Sequence, residues 1–209
     1  MAHDPTPGRA ETRPLVIACG ALASELRAVL RHHGLDGAVD VRYLPAHLHN
    51  RPEGITPAVE ELLVEHAGRP AFVAYADCGT GGHLDAMLVR HPGVDRLLGA
   101  HCYEVFAGPQ LFAALHEEEP GTFFLTDFLA RHFEALVWQG LGLDRHPELR
   151  SMYFGNYRRV VLLTQSEDST VVESGRRAAD RLSLVFEHRH VGRQGLDAVV
   201  AVAVHRSAA

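Results

Sequence analysis

The chain is 209 residues long, 46% apolar, and carries a formal charge of −6 at pH 7. That is enough to bury one sizeable core, while no apolar run approaches the roughly 18 residues of a membrane span. The acidic balance and the lack of any basic stripe interleaved with aromatics exclude nucleic acid and membranes as partners. All 20 basic residues are arginine, so Schiff-base and Walker A lysine chemistry is excluded too.

Residues 1–14, MAHDPTPGRAETRP, are polar and proline-rich with no apolar h-region; they read as a disordered lead-in, not a secretory signal, and the expected compartment is the cytoplasm. LVIAC (15–19) is a short buried strand, and ASELRAVLRHHG after it is a helix with Leu26, Val29 and Leu30 apolar and Gly34 at its end. VDVRYL (39–44) alternates as a second strand; after PAHLHNRPEG a helix starts at Thr56, with Pro57 at its first position and Glu60 and Glu61 in its first turn. AFVAYA (71–76) is the third strand and HLDAMLVRH its helix. DRLLGAHCYEVF carries a fourth strand ending near Cys102, and GPQLFAALHEEE is helical. TFFLT (122–126) is a fifth strand feeding one helix through DFLARHFEALVWQG, and RVVLLT and LSLVFEHR are later strands separated by the helix VVESGRRAADRL. Strand and helix alternate throughout, which predicts an α/β fold of three layers, α/β/α, around a mostly parallel sheet, as a single compact domain over 15–204 with a short tail at 205–209.

The cysteines carry the chemical signal. Cys19 ends the first strand, Cys78 follows the third just before GTGG, and Cys102 lies at the end of the fourth apolar segment, directly after His101. In a parallel sheet the carboxyl ends of the strands share one edge, so cysteines far apart in sequence converge there. With only three cysteines, in a reducing compartment, a disulfide framework is not expected. Convergent thiolates are what a soft metal needs. The preferred reading is Zn²⁺ held by Cys19, Cys78 and Cys102, or by two thiolates and an imidazole, with one position open. A [4Fe–4S] cluster with three cysteine ligands and an open iron is the alternative. The competing reading is that each cysteine is a small buried hydrophobe suited to a strand end.

Of the 15 histidines most fill surface and cap roles, but AHLHN stands apart. His47 and His49 follow the second strand on the same edge as Cys19 and Cys78, and in an extended segment an i, i+2 pair aims the same way. His83, at a helix start after GTGG, and His101, beside Cys102, are further candidates for a ligand, an orienting neighbour or a general base. Asp77 is placed to orient a ligand histidine or a metal-bound water, or to cap its turn. The loop Gly79, Thr80, Gly81 and Gly82 has two rival readings as a cofactor loop. ADCGTGGHLDAML is similar to the hydrophobic–Asp–x–Gly–x–Gly loop of S-adenosylmethionine-dependent methyltransferases, yet it follows the third strand where that family uses the first, and no acidic residue ends the next strand to take the ribose hydroxyls. As a phosphate cradle it offers a helix N-terminus but no lysine or nearby arginine. TDFLARHFEALVW supplies a pocket wall, with Thr126 and Asp127 at a helix start as cofactor contacts, His132 on a face the phase does not fix, and Trp138 in the core.

The blocks LVIACGALASEL, YLPAHLHNRPEGI, VAYADCGTGG, GAHCYEVFAG and GTFFLTDFLARHFE, followed by YFGNYRRVVLL, run in order over about residues 15–204 and together resemble the bacterial and archaeal domain-of-unknown-function family 1638. The resemblance implies cysteines at the places of Cys19, Cys78 and Cys102 and a histidine at His49, which favours His49 over His47. Some members are encoded beside corrinoid-dependent methyltransferase systems, which implies a link with one-carbon or methyl transfer. AHCYE departs from the His–Asp–Cys form of the family, with Ala100–His101 in place of His–Asp.

The expectation is a metal-dependent enzyme acting on a small molecule. Its metal would lower the pKa of a substrate thiol or water and present it to a methyl or acyl donor, with His49 as fourth ligand or acid/base and Asp77 and His101 as further acid–base candidates. The rival is a non-catalytic protein that binds metal, or a corrinoid through a partner, as an accessory to a methyltransferase. A homodimer is compatible with this α/β packing.

Overall fold

The computed structural model describes residues 13–197; most of the expected lead-in and the whole expected tail lie outside the described residues. The first half holds the strands β1 (Leu15–Cys19), β2 (Asp40–Leu44), β3 (Ala71–Ala74) and β4 (Asp95–Arg96), alternating with the helices α1 (Ala23–His32), α2 (Ile55–Glu65) and α3 (His83–Leu88). The second half holds α4 (Cys102–Ala107), α5 (Pro109–Glu118), β5 (Thr122–Thr126), α6 (Asp127–Arg131), α7 (Leu149–Phe154), β6 (Arg159–Thr164), α8 (Ser169–Leu182) and β7 (Val185–His190). Every strand pairing is parallel, as the alternation with helices requires. No helix among the described residues is long and apolar enough to cross a membrane.

The α/β class stands, with one correction to the layout: the strands form two sheets, in the orders β2-β1-β3-β4 and β5-β6-β7. The first sheet is sandwiched as expected. Along β1 and β3, Val16, Ala18, Phe72 and Ala74 face α1, through Leu26, Val29 and Leu30. Leu15, Ile17 and Val73 face α2 and α3, through Val59, Leu63, Leu84 and Met87. This is the period-2 alternation of a sheet buried on both sides. The second sheet has its own core, in which Val160 to Leu163 of β6 are all buried against α6 and α8.

The break between the sheets is local chemistry. The fourth strand does not reach Cys102; it ends at Arg96, and Cys102 opens a helix. Gly99 turns the chain at φ +104, where a Cβ would also lie 2.7 Å from the Glu104 carboxylate. Glu104 accepts a hydrogen bond from the Ala100 N–H at 2.8 Å, and so starts α4 from within its own first turn. The single helix expected through 127–140 is likewise divided. α6 ends at Arg131, and Glu134–Gln139 is a π-helical turn. Asn50 donates to the Leu136 carbonyl at 2.5 Å, an inserted side-chain partner of the kind that diverts a helix from its regular ladder.

Candidate active site at the carboxyl ends of the strands

Parallel pairing puts the ends of β1 and β3 on one edge, and the three cysteines meet there. An apolar pocket is lined by Cys19, Cys78 and Cys102, by His49 and Tyr75, and by Thr126 from the second sheet. Cys19 is the last residue of β1, Cys78 follows β3, and Cys102 is the first residue of α4. Each lies where two of the apolar cores touch.

The loop after β3 is shaped by Asp77. Its carboxylate accepts the Thr80 hydroxyl at 2.7 Å, the Gly82 N–H at 2.9 Å and the Gly81 N–H at 3.2 Å. Partial burial pushes this carboxyl up, but the hydrogen bonds from Gly82, Thr80 and Gly81 outweigh it and hold the group below its ordinary 3.8. Asp77 is therefore committed to the turn. Gly79, Gly81 and Gly82 all take positive φ, and so does Cys78, at 49°. A side chain held left-handed costs roughly 1–2 kcal/mol, and such outliers persist where the surroundings impose them. Here the Asp77 N–H is bonded to the Gly99 carbonyl at 3.1 Å and the Cys78 N–H to the Ala100 carbonyl at 2.8 Å. The backbone is pinned, and the thiol is directed at the pocket.

All three cysteines are free. The thiols of Cys78 and Cys102 are neighbours on the wall of one pocket. Their mutual interaction lowers the pKa of Cys78 and raises that of Cys102, which burial raises further, so the two titrate as a pair. Burial raises the Cys19 thiol, against the backbone N–H of Ala21 and the nearby Tyr75. The Tyr75 hydroxyl is buried without a hydrogen-bond partner, and burial together with the neighbouring thiols pushes it far above the ordinary phenol range.

The AHLHN segment is not extended. Ala46–Asn50 forms a 3₁₀ turn, in which positions i and i+2 diverge by about a third of a turn. His47 is exposed, while His49 is half-buried and lines the pocket. His49 Nε2 lies 3.3 Å from the Tyr103 hydroxyl, and the two rings meet edge-on at 6.3 Å. The Asn50 bond to Leu136 anchors the same turn on the second half of the chain. Burial, and after it the nearby His101, hold the His49 imidazole below its ordinary 6.5. The unfolded chain binds a proton there that the folded chain refuses. Stability is thus unaffected above about pH 6.5 and is lost as the pH falls below it. We expect His49→Gln to diminish the drop in urea midpoint between about pH 7 and pH 5.5, leaving the share of His188, which burial also lowers. An unchanged drop would place His49 in solvent.

The remaining expected residues are distributed as follows. Thr126 is buried on the pocket wall, its hydroxyl accepting from the Leu129 N–H at 3.4 Å. Asp127 is buried but faces away: its carboxylate accepts the Gln165 N–H at 3.0 Å, the Ser166 N–H at 3.1 Å and the Ser166 hydroxyl, tying β5 to the end of β6. The Gly79–Gly82 loop lies beside the pocket without lining it, apart from its neighbour Cys78. His101 is exposed in front of α4, its ring 6.2 Å from that of Tyr103, and His83 is exposed at the start of α3. His132 is exposed against Phe128 at 4.5 Å, and Trp138 packs on the second core with the Arg181 guanidinium 4.0 Å above its ring. Sequence reasoning missed Tyr75, Tyr103 and Asn50, although the two tyrosines stand beside the cysteine motifs in the chain. It also missed Glu25 of α1, buried with one carboxyl oxygen unpartnered and its pKa raised by burial and then by Asp127.

Among the described residues no three His, Cys, Asp or Glu side chains already form a metal-holding cluster. No curated protein and no solved structure matches the chain. One family model does, that of a protein of unknown function designated DUF1638, over residues 43–200. The matched part begins in β2 and takes in His49, Cys78, Cys102 and the whole second sheet, and with more than half its length so covered the chain belongs to the DUF1638 family.

Proposed function

We propose that the pocket is a metal–thiolate site, with Zn²⁺ preferred over a [4Fe–4S] cluster, and that the protein acts there on a small molecule in methyl or thiol transfer. The observation that carries this reading is the arrival of three free thiols from three separate segments, with one imidazole, on a single apolar pocket. The donor set fits a soft or borderline ion. None of the donors is locked to a charged partner: the three thiols are free, and His49 meets only the Tyr103 hydroxyl, at 3.3 Å.

When bound, the metal supplies Lewis acidity that lowers the pKa of a substrate thiol or water. The rest is supplied by the chain. The apolar lining excludes water and strengthens electrostatic interactions within the pocket. With Asp77 and Asp127 committed to loop structure, His49 is the ordinary acid–base group of the lining, kept neutral at pH 7 by burial and oriented by Tyr103. Thr126 brings the second sheet into the site.

The test is elemental analysis and an ultraviolet–visible spectrum of protein purified without oxygen. About one zinc per chain and a featureless visible spectrum are expected; iron with a broad visible band would assign the cluster. Protein that carries neither and takes up neither on reconstitution under reducing conditions overturns the proposal. Stoichiometric metal without turnover of any thiol and methyl donor would instead assign the accessory role, with a corrinoid or methyltransferase protein as partner.

A further inference from the structure

Among the described residues, the buried side-chain atoms without a hydrogen-bond partner are Glu25 Oε2, Arg69 Nε, the Tyr75 hydroxyl, Gln165 Oε1 and Asp197 Oδ1. Of these residues Tyr75 alone lines the pocket. It comes directly after β3, on the face that Val73 turns to α2 and α3, whereas Ala74 and Ala76 join the opposite core. Tyr75 is 2% exposed, so its hydroxyl is shut off from bulk solvent. Burying a hydroxyl unpaired is unfavourable, and native proteins keep few such groups, with a functional role among the reasons for keeping them. Tyr103 is the contrast: buried nearby, its hydroxyl meets His49 at 3.3 Å.

The rest of the lining says what would pair with Tyr75. Beside the three thiols, His49 and Thr126, its side chains are apolar, and among the described residues it includes no arginine and no carboxylate. A charged ligand would be desolvated there without a counter-ion. The free volume is about 20 Å³, room for one water-sized group at a time. We propose that Tyr75 is the residue that selects the pocket's ligand, its hydroxyl donating a hydrogen bond to a compact oxygen acceptor, a carbonyl or an alcohol, on a small uncharged molecule. This rests on the reading that the pocket takes a small molecule, and it names the class: the acceptor meets the hydroxyl, and the apolar remainder meets Leu22, Ile55 and Leu129. Held above the ordinary phenol range, the hydroxyl stays protonated and acts as a donor.

The experiment uses the full chain as purified under reductant, with acetone as the uncharged probe and acetate, of the same shape, as the charged one. The methyl resonances of Leu22, Ile55 and Leu129 report on the pocket. We expect acetone to shift them saturably, acetate to bind at least about tenfold more weakly, and Tyr75→Phe to weaken acetone about threefold to tenfold, the worth of one hydrogen bond. Without ligand, Tyr75→Phe should melt at or above the parent's temperature, because the hydroxyl it removes has no partner to lose. A variant that melts lower and binds acetone as the parent does would show a hydroxyl satisfied by a trapped water, and overturns the proposal. So does acetone that leaves the pocket methyls unmoved, or acetate that binds as tightly. Zinc is measured on the same samples, and Tyr75→Phe, which removes none of the thiols or the imidazole, should keep the parent's content; a failure of the metal reading is thus read apart from a failure at Tyr75.

Discussion

Cys78→Ser is expected to lower the affinity for Zn²⁺ by more than about 100-fold, beyond the 10–100-fold typical when only a neighbour of a ligand is changed. A serine hydroxyl is hard and stays protonated at neutral pH, so it replaces a thiolate neither in charge nor in softness. The fold should survive the change, because Cys78 lies on a loop that is organised by the Asp77 carboxylate and by backbone bonds to Gly99 and Ala100, none of which involves the thiol. Cys102→Ser should lose metal to the same extent, since its thiol lines the same pocket. His49→Ala should fall within the 10–100-fold range and His47→Ala should match the parent, one imidazole being on the pocket and the other in solvent. Isothermal titration with zinc, beside thermal melts of the same variants, separates binding from folding. If Cys78→Ser binds zinc as the parent does, the cysteines are packing residues and the metal reading fails.

The edges of the fold were legible wherever apolar runs were bounded by turn chemistry. TFFLT is the strand β5 residue for residue, because a Pro–Gly pair precedes it and the Thr126 and Asp127 helix start follows it. The approach of Cys19 and Cys78 was legible for the same reason, since strand ends in a parallel sheet fall on one edge, whereas Cys102 reaches the pocket from the start of α4 and not from the strand end expected of it. The division into two sheets was not, because it turns on Gly99 and on Glu104 reaching back to Ala100, a contact that hydrophobic periodicity does not report. Expecting an extended AHLHN segment put both histidines on the pocket side; the 3₁₀ turn lets one through. Acidic residues at motif positions proved hardest to read. Asp77 and Asp127 stand where catalytic carboxylates would, yet each satisfies backbone N–H groups of a loop, and a sequence does not distinguish an oxygen that accepts from its own turn from one that faces a ligand.

Arg159→Ala is expected to destabilise the protein by about 3–5 kcal/mol, the range for breaking one partner out of a buried ionic network. Arg159 opens β6 and is buried, with its donors engaged on three elements. Nε donates to the Thr122 hydroxyl at 2.9 Å, Nη1 to Glu187 at 2.9 Å and Glu118 at 3.1 Å, and Nη2 to the Leu115 carbonyl at 2.7 Å. Truncation leaves the carbonyl at the end of α5, the hydroxyl on β5 and the Glu187 carboxylate on β7 without their shared donor, and it removes the stem that packs between them. The members are unequal. The Glu118 side chain is 63% exposed, so Glu118→Ala should cost under about 1 kcal/mol, whereas that of Glu187 is 25% exposed and its loss should fall between the two. For a chain of this size the Arg159→Ala loss corresponds to a fall in Tm on the order of 10 °C. Arg159 and the pocket lie at opposite ends of the second sheet, so below its lowered Tm the variant should keep the parent's zinc stoichiometry and its count of reactive thiols. A loss below about 1 kcal/mol would show that the guanidinium is solvated in solution, as a surface ion pair is, and that it does not hold β5, β6 and β7 in register.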